Sequence, residues 1–131
     1  MPTHEARRIL PDPVARADAL FNVAHVALLC GALASNDSDL LGVAMHDRLH
    51  ERQRAALVPG LGPALESLRA EPHCVAAALS GSGPTLVAFY RDVPRDAGHG
   101  ALAELQRHEI EARAQRVRPQ TSGVQWKAQS A

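Results

Sequence analysis

A glycine-rich segment, Ser80-Gly81-Ser82-Gly83-Pro84, is the sharpest candidate for chemistry in the 131-residue chain. It lies between two apolar runs, Cys74 to Leu79 and Thr85 to Tyr90, which predict strands. Glycines tolerate positive φ, so consecutive N–H groups in such a loop can surround an anion. An ordinary tight hairpin connection would show the same pattern. The segment is not a Walker loop, because no Gly-Lys-Ser/Thr follows it.

Arginines at two structured places are the second candidate. Arg7 and Arg8 precede Leu10-Pro11, and Arg54 follows a predicted helix. A guanidinium group can bind a carboxylate through two parallel hydrogen bonds. Solvated surface arginines are the competing interpretation.

The third candidate is the pair His46 and His50, four residues apart on what is predicted to be one helix face. The spacing is similar to that of the zinc-binding H-E-x-x-H helix, but Asp47 replaces the glutamate and no third ligand is evident. Helix-surface histidines are the simpler interpretation, and a zinc hydrolase is kept as a third alternative.

The elements that must position these residues follow from periodicity and turn residues. They suggest an α+β fold, with helices packed on one face of an antiparallel sheet. Besides the two strands, the predicted elements are a helix capped by Asp12-Pro13 and ending near Ala34, a second with Leu41, Met45 and Leu49 on one face, a third from Pro63 to Ala70, a fourth from Ala101 to Arg116, and a last strand at Gly123 to Trp126.

Composition narrows the function classes. The 14 basic residues balance the 14 acidic ones, so the chain lacks the excess positive charge typical of nucleic-acid binding. We find no apolar run near the ~20 residues that span a bilayer, and no signal peptide. Cys30 and Cys74 lie in apolar stretches and are expected to be buried free thiols. A single cytoplasmic domain, residues 1–131, is expected, without membrane or nucleic-acid partners.

Four segments together resemble the homoserine kinases, and the resemblance spans most of residues 3 to 90. Thr3 to Pro11 is similar to their T-x-x-A-R-x-x-L-P motif, and Asp18 to Asn22 to D-A-V-F-N. The segment from Asp47 to Arg54 resembles D-R-L-H-Q-P-Y-R. The segment Leu79 to Thr85 resembles a signature shared by the wider superfamily of galactokinase, homoserine kinase and mevalonate kinase.

The resemblance implies a ferredoxin-like C-terminal domain of a small-molecule kinase, with Mg-ATP and L-homoserine as the substrates of the complete enzyme. It implies that Thr3, Arg7 and Arg54 bind the amino acid. The glycine segment, Ser80 to Gly83, would support the phosphate-binding loop. No catalytic residue and no metal ligand is assigned to this chain.

The sequence also departs from the family pattern. Glu51-Arg52-Gln53 stands in place of Q-P-Y, which adds charge and removes a rigid proline. No segment resembles the P-x-x-x-G-L-G-S-S-A loop that holds ATP in the family. We therefore expect no ATP binding by this chain alone, and a nucleotide-binding N-terminal half supplied in cis or in trans. The alternative is a non-catalytic module that binds an amino acid or forms a homo-oligomer. Without a partner domain, we also expect self-association or poor solubility through apolar surface exposed near Thr3, Arg7 and Gly81 to Gly83.

Overall fold

A computed structural model describes residues 3–119 and 122–123 of the chain. Six helices and two strands are assigned within them. In chain order these are α1 (Thr3–Arg8), α2 (Arg16–Ser35), α3 (Ser38–Ala44), α4 (Glu51–Ala55), α5 (Leu61–Arg69), β1 (Cys74–Leu79), β2 (Leu86–Tyr90) and α6 (His99–Arg107).

The two strands form the antiparallel hairpin that the sequence predicts. Ala77 pairs with Ala88 and Leu79 with Leu86, so these four side chains share one face of the sheet. That face packs on α5 and α6 to form the core. The fold is α+β, as expected, and the described residues contain a two-stranded sheet. The core residues that are buried in this cluster are Leu61, Ala64, Leu65, Leu68, Ala77, Leu79, Ala101 and Leu105.

The helix α2 ends within a residue of its predicted end, but its predicted cap is wrong. Arg16 is its first residue and Ala15 its N-cap, whose carbonyl accepts from the backbone N–H groups of Asp18 and Ala19. Asp12 therefore lies outside the helix. At the other end, Asn36 adopts a left-handed conformation with φ of 54°, and this ends the helix.

The second predicted helix is in fact two short helices separated by an irregular segment. The first, α3, ends at Ala44, and α4 begins only at Glu51. His46 and His50 therefore do not share a helix face, and the zinc-helix interpretation is wrong. The physical cause is Asp47, whose carboxylate accepts the backbone N–H groups of His50 and Glu51 and so starts a new helix.

The third predicted helix is confirmed as α5, which starts two residues earlier than expected. The fourth, α6, is nine residues long and ends well before Arg116. Glu109 takes a left-handed φ of 59°, and the N–H of Ile110 returns to the carbonyl of Leu105. This turn packs Ile110 against the core, which ends the helix. Of the last predicted strand, only Gly123 lies among the described residues.

Exposed apolar side chains are concentrated on α2 rather than around the glycine segment. Leu20, Val23, Val26 and Leu33 are each more than half exposed. Cys30, on the same helix, is an exposed free thiol, which corrects the expectation that it is buried. With 20 residues and a mean hydropathy of 1.6, α2 is long and apolar enough to cross a membrane, contrary to the estimate from sequence. The core helix of a water-soluble protein and a signal sequence near the N-terminus pass the same test.

Candidate functional site

Arg54 connects three of the segments that carry the family resemblance. It lies on α4, and its guanidinium Nη1 donates to the carbonyl of Gly81 at 2.9 Å. Its Nε donates to the carbonyl of Ala6 on α1, in a longer contact of 3.4 Å. The D-R-L-H segment, the first motif and the glycine segment therefore converge on one half-buried side chain.

The other predicted binding residues lie on α1. Arg7 follows Ala6 directly, and its side chain is exposed, whereas Ala6 is fully buried. Thr3 is the first residue of the helix, but its side chain lies outside the part that the structure describes. The structure thus brings Arg54 to the backbone beside Arg7, while the binding roles of Thr3, Arg7 and Arg54 stay predictions.

The glycine segment is a tight connection between β1 and β2. The N–H of Ser80 donates to the carbonyl of Thr85, and the N–H of Gly83 returns to the carbonyl of Ser80. Gly81 and Gly83 have φ values of 60° and 80°, which disfavour side chains. Within residues 3–119, the N–H groups of Gly81 and Ser82 donate to no protein acceptor. The segment is thus a hairpin connection, as one interpretation predicted. A hairpin turn can also present N–H donors to an anion, and that role stays a prediction.

Asp47 and Asn22 attach the segment before α4 to α2. The amide Nδ2 of Asn22 donates to Asp47 Oδ2 at 2.5 Å, and its Oδ1 accepts the N–H of Arg48 at 2.9 Å. Phe21 adds a cation–π contact, because the Arg48 guanidinium lies 3.8 Å from its ring centre. Two of the motifs that carry the family resemblance are therefore in direct contact.

The electrostatics of Asp47 suit this role. Partial burial would raise the pKa of its carboxyl group. The backbone N–H groups of His50 and Glu51, the Asn22 amide and the nearby His50 outweigh burial and lower that pKa below its ordinary value. Asp47 is therefore charged near neutral pH, and it accepts N–H groups at the start of α4 from outside the helix, whose N-cap is His50.

Glu51 attaches α4 to the other side of the molecule. It is buried, and its Oε1 lies 2.8 Å from Arg69 Nη2 on α5. Its Oε2 accepts the N–H of Leu79, the last residue of β1, at 3.2 Å. Arg69 in turn donates Nε to the carbonyl of Ala77 at 3.1 Å. Glu51, which departs from the family pattern, thus connects α4 to α5 and to β1, the strand that leads into the glycine segment.

Sequence reasoning missed the network around Arg54. Asn22 and Asp47 both lie in motifs that carry the family resemblance, and this is the signal that could have identified them. In the sequence, Glu51 differs from the family pattern only as an added charge. Arg69 has no distinguishing signal, because a basic residue in the last turn of a helix is common. Contacts between residues 18 or more positions apart are set by tertiary packing rather than local pattern.

Chemically, the arrangement is suited to an anionic group. Arginine has five N–H donors, and the described contacts of Arg54 use two of its nitrogens, leaving Nη2 for a ligand. Arg7 is exposed nearby along α1. No three His, Cys, Asp or Glu side chains among the described residues are grouped as metal ligands. The site thus has features of carboxylate recognition and none of metal binding in the part described.

Comparisons with known proteins show the family of the chain. Residues 29–109 match the family model described as GHMP kinases C terminal. The homoserine kinase of Desulfitobacterium hafniense is 46% identical over 87 residues, which is 66% of this chain and 29% of that protein. The homoserine kinase of Moorella thermoacetica is 36% identical over 122 residues, 93% of this chain and 41% of that protein.

A solved structure is similar as well. The crystal structure of homoserine kinase from Cytophaga hutchinsonii superposes with a TM-score of 0.67 and 27% sequence identity. The match covers 82% of this chain and 33% of that one. The chain thus spans less than half the length of the relatives it matches.

Proposed function

Because the chain belongs to the family of GHMP kinase C-terminal domains, we propose that it is the amino-acid-binding part of a homoserine kinase. Such an enzyme transfers the γ-phosphoryl group of Mg-ATP to the hydroxyl of L-homoserine, a step toward threonine. The contact of Arg54 with both Ala6 and Gly81 carries the proposal. It joins the elements that would bind the amino acid to the loop that would lie near the phosphates.

Under this proposal, Arg54 and Arg7 bind the α-carboxylate of homoserine, and Thr3 contributes a hydroxyl. The Nη2 group of Arg54 offers donors that no described protein atom uses, and a carboxylate is the anion that matches a guanidinium fork. Ser80 to Gly83 would hold the phosphate-binding loop in place, with the exposed N–H groups of Gly81 and Ser82 as donors. Phosphoryl transfer relies on such positioning and on charge neutralisation.

The γ-phosphoryl chemistry itself would need a second part. We propose that a nucleotide-binding half, in cis or in trans, supplies the contacts to Mg-ATP and to the homoserine hydroxyl. The uncovered apolar face of α2 supports a protein partner of this kind, since contiguous exposed apolar surface marks interaction sites. On this view α2 is covered by protein in a cytoplasmic enzyme and does not enter a membrane.

The alternative is a module that binds an amino acid or forms a dimer without catalysis. The same face of α2 favours it, because a second copy could cover that face. The two functions differ in whether the chain completes a kinase, and not in whether it binds homoserine through Arg54.

Calorimetric titration of the purified chain with L-homoserine, and then with Mg-ATP, tests the proposal. Binding of homoserine without binding of Mg-ATP is the expected result. D-Homoserine is the matched control ligand, because it cannot place its carboxylate, its amino group and its hydroxyl-bearing side chain in the three positions of the L enantiomer at the same time. If neither enantiomer of homoserine binds, or both bind equally, the chain is not a preformed homoserine site and the proposal is wrong in this form.

A further inference from the structure

Arg54 lies on the shortest element that carries any predicted site residue. The helix α4 has five residues, Glu51–Ala55, which is too short to be stable on its own. Its position therefore depends on contacts with other elements. Three such contacts are present: Asp47 at its start, Glu51 in its first turn, and Arg54 itself.

Glu51 is the contact that reaches deepest into the protein. Its side chain is buried, and each carboxylate oxygen has a different partner, Arg69 Nη2 at 2.8 Å and the Leu79 N–H at 3.2 Å. Arg54 follows it by three residues, which places both on neighbouring positions along the helix. Leu79 precedes the loop whose Gly81 carbonyl accepts from Arg54.

We propose that Glu51 is a positioning residue that holds Arg54 against the glycine segment. Its carboxylate fixes the start of α4 to the end of β1, so that the Arg54 guanidinium and the Gly81 carbonyl stay in register. The role in substrate binding rests on the function proposed above, whereas the positioning of Arg54 does not.

The chemistry of Glu51 makes the proposal specific. A carboxylate can accept from Arg69 and from Leu79 at the same time, one oxygen for each. A glutamine at this position has a single accepting oxygen, and its amide group would face one of the two donors. Glu51→Gln should therefore keep the shape and lose one of the two contacts, while Glu51→Ala loses both.

The chain offers a matched control in Glu66. This residue contacts the same guanidinium, through Arg69 Nη1 at 2.8 Å, but its side chain is 70% exposed against 10% for Glu51. Removing it weakens an exposed ion pair of the kind that contributes little. Glu66→Gln should leave α4 and Arg54 in place.

The test measures Arg54 directly. NMR relaxation of the Arg54 side-chain Nε–H reports how well the guanidinium is ordered, without any ligand. We expect its order parameter to fall in Glu51→Gln, to fall further in Glu51→Ala, and to be unchanged in Glu66→Gln. Titration with L-homoserine should show about tenfold weaker binding for Glu51→Gln, because the loss of one hydrogen bond leaves Arg54 less well oriented.

The outcomes separate the two proposals. If folded Glu51→Gln keeps the Arg54 order and the homoserine affinity of the wild type, Glu51 does not position Arg54 and the inference is overturned. If the wild type does not bind homoserine, the proposed function fails, and the relaxation data still decide whether Glu51 holds Arg54. Glu51→Gln retains the volume of the side chain, so the test does not depend on the fate of Glu51→Ala.

Discussion

At the scale of single residues, Arg54 is the side chain on which the account depends. The first motif and the glycine segment are separate features of the sequence, and the structure shows that Arg54 contacts a backbone carbonyl of each. Contacts to carbonyl oxygens leave the charge of the guanidinium unneutralised. The residue can therefore support the fold and attract an anion together.

Replacement of Arg54 by alanine should abolish detectable binding of L-homoserine, a weakening of at least about a hundredfold, because a charge-assisted pair of hydrogen bonds is lost. Arg52→Ala is the matched control. That residue lies on the same helix and is exposed, and its side chain makes no hydrogen bond or ion pair with the residues that the structure describes. Titration calorimetry at a temperature where both variants are folded measures the difference. Equal affinities for the two variants would show that Arg54 has no part in binding.

At the scale of elements, the break between α3 and α4 determines where Arg54 lies. The spacing of Leu41, Met45 and Leu49 predicts one continuous helix, because apolar residues four positions apart lie on the same face of a helix. Asp47 overrides that period, since its carboxylate binds backbone N–H groups that a continuous helix would use internally. Local competition of this kind is decided by the tertiary partner Asn22, which lies 25 residues away.

The hairpin, by contrast, was predictable. Both strands are short apolar runs bounded by turn residues, and the glycine segment between them leaves few ways to connect them. The binding roles of Thr3, Arg7 and Arg54 follow only from the resemblance to a family, and they stay predictions. The contacts that hold them, above all Glu51 with Arg69, have no local signature, because a buried ion pair is defined by the packing of distant elements.

The Asp47 carboxylate at the start of α4 should make the stability of the fold depend on pH. The folded pKa of Asp47 is lowered, so its charged form stabilises the folded state above the pKa of the unfolded chain, and this stabilisation is lost as pH falls through the folded pKa. Asp47→Asn removes the negative charge and the oxygen that accepts from the Asn22 amide. It should lower the free energy of unfolding by about 1 kcal/mol at pH 7 and reduce its decline in acid. Urea unfolding between pH 7 and pH 3 measures both effects.

Asp39→Asn is the control for that series, because its carboxylate is 93% exposed and pairs only with Arg91 on the surface. It should unfold with the same pH dependence as the wild type. If Asp47→Asn loses stability in acid as much as the wild type does, the Asp47 carboxylate does not contribute to that loss.

At the scale of the whole molecule, the exposed face of α2 is the feature that remains without a partner among the described residues. Only 6% of the apolar window of this helix is buried. Exposure of such a face to water is unfavourable, because each Å² of apolar surface that is left uncovered costs about 25 cal/mol of free energy. The chain should therefore associate, either with itself or with a nucleotide-binding half.

Polar substitution on α2 tests this expectation. The purified chain should sediment with a concentration-dependent mass, and Val23→Glu combined with Val26→Lys should shift it toward the monomer, because both positions are exposed. Val117→Glu is the control, since Val117 is 73% exposed but lies in the irregular segment after α6. Analytical ultracentrifugation decides the matter. A wild-type chain that stays monomeric at high concentration would argue against self-association through α2.

The most direct measurement of the central claim is the activity of a chimera. In it, this chain replaces the homologous segment of the homoserine kinase of Desulfitobacterium hafniense, which is 46% identical over 87 residues. We expect L-homoserine-dependent formation of ADP and of phosphorylated homoserine, retained in Arg52→Ala and lost in Arg54→Ala. A chimera that unfolds cooperatively and binds ATP, yet never phosphorylates homoserine, would contradict the account.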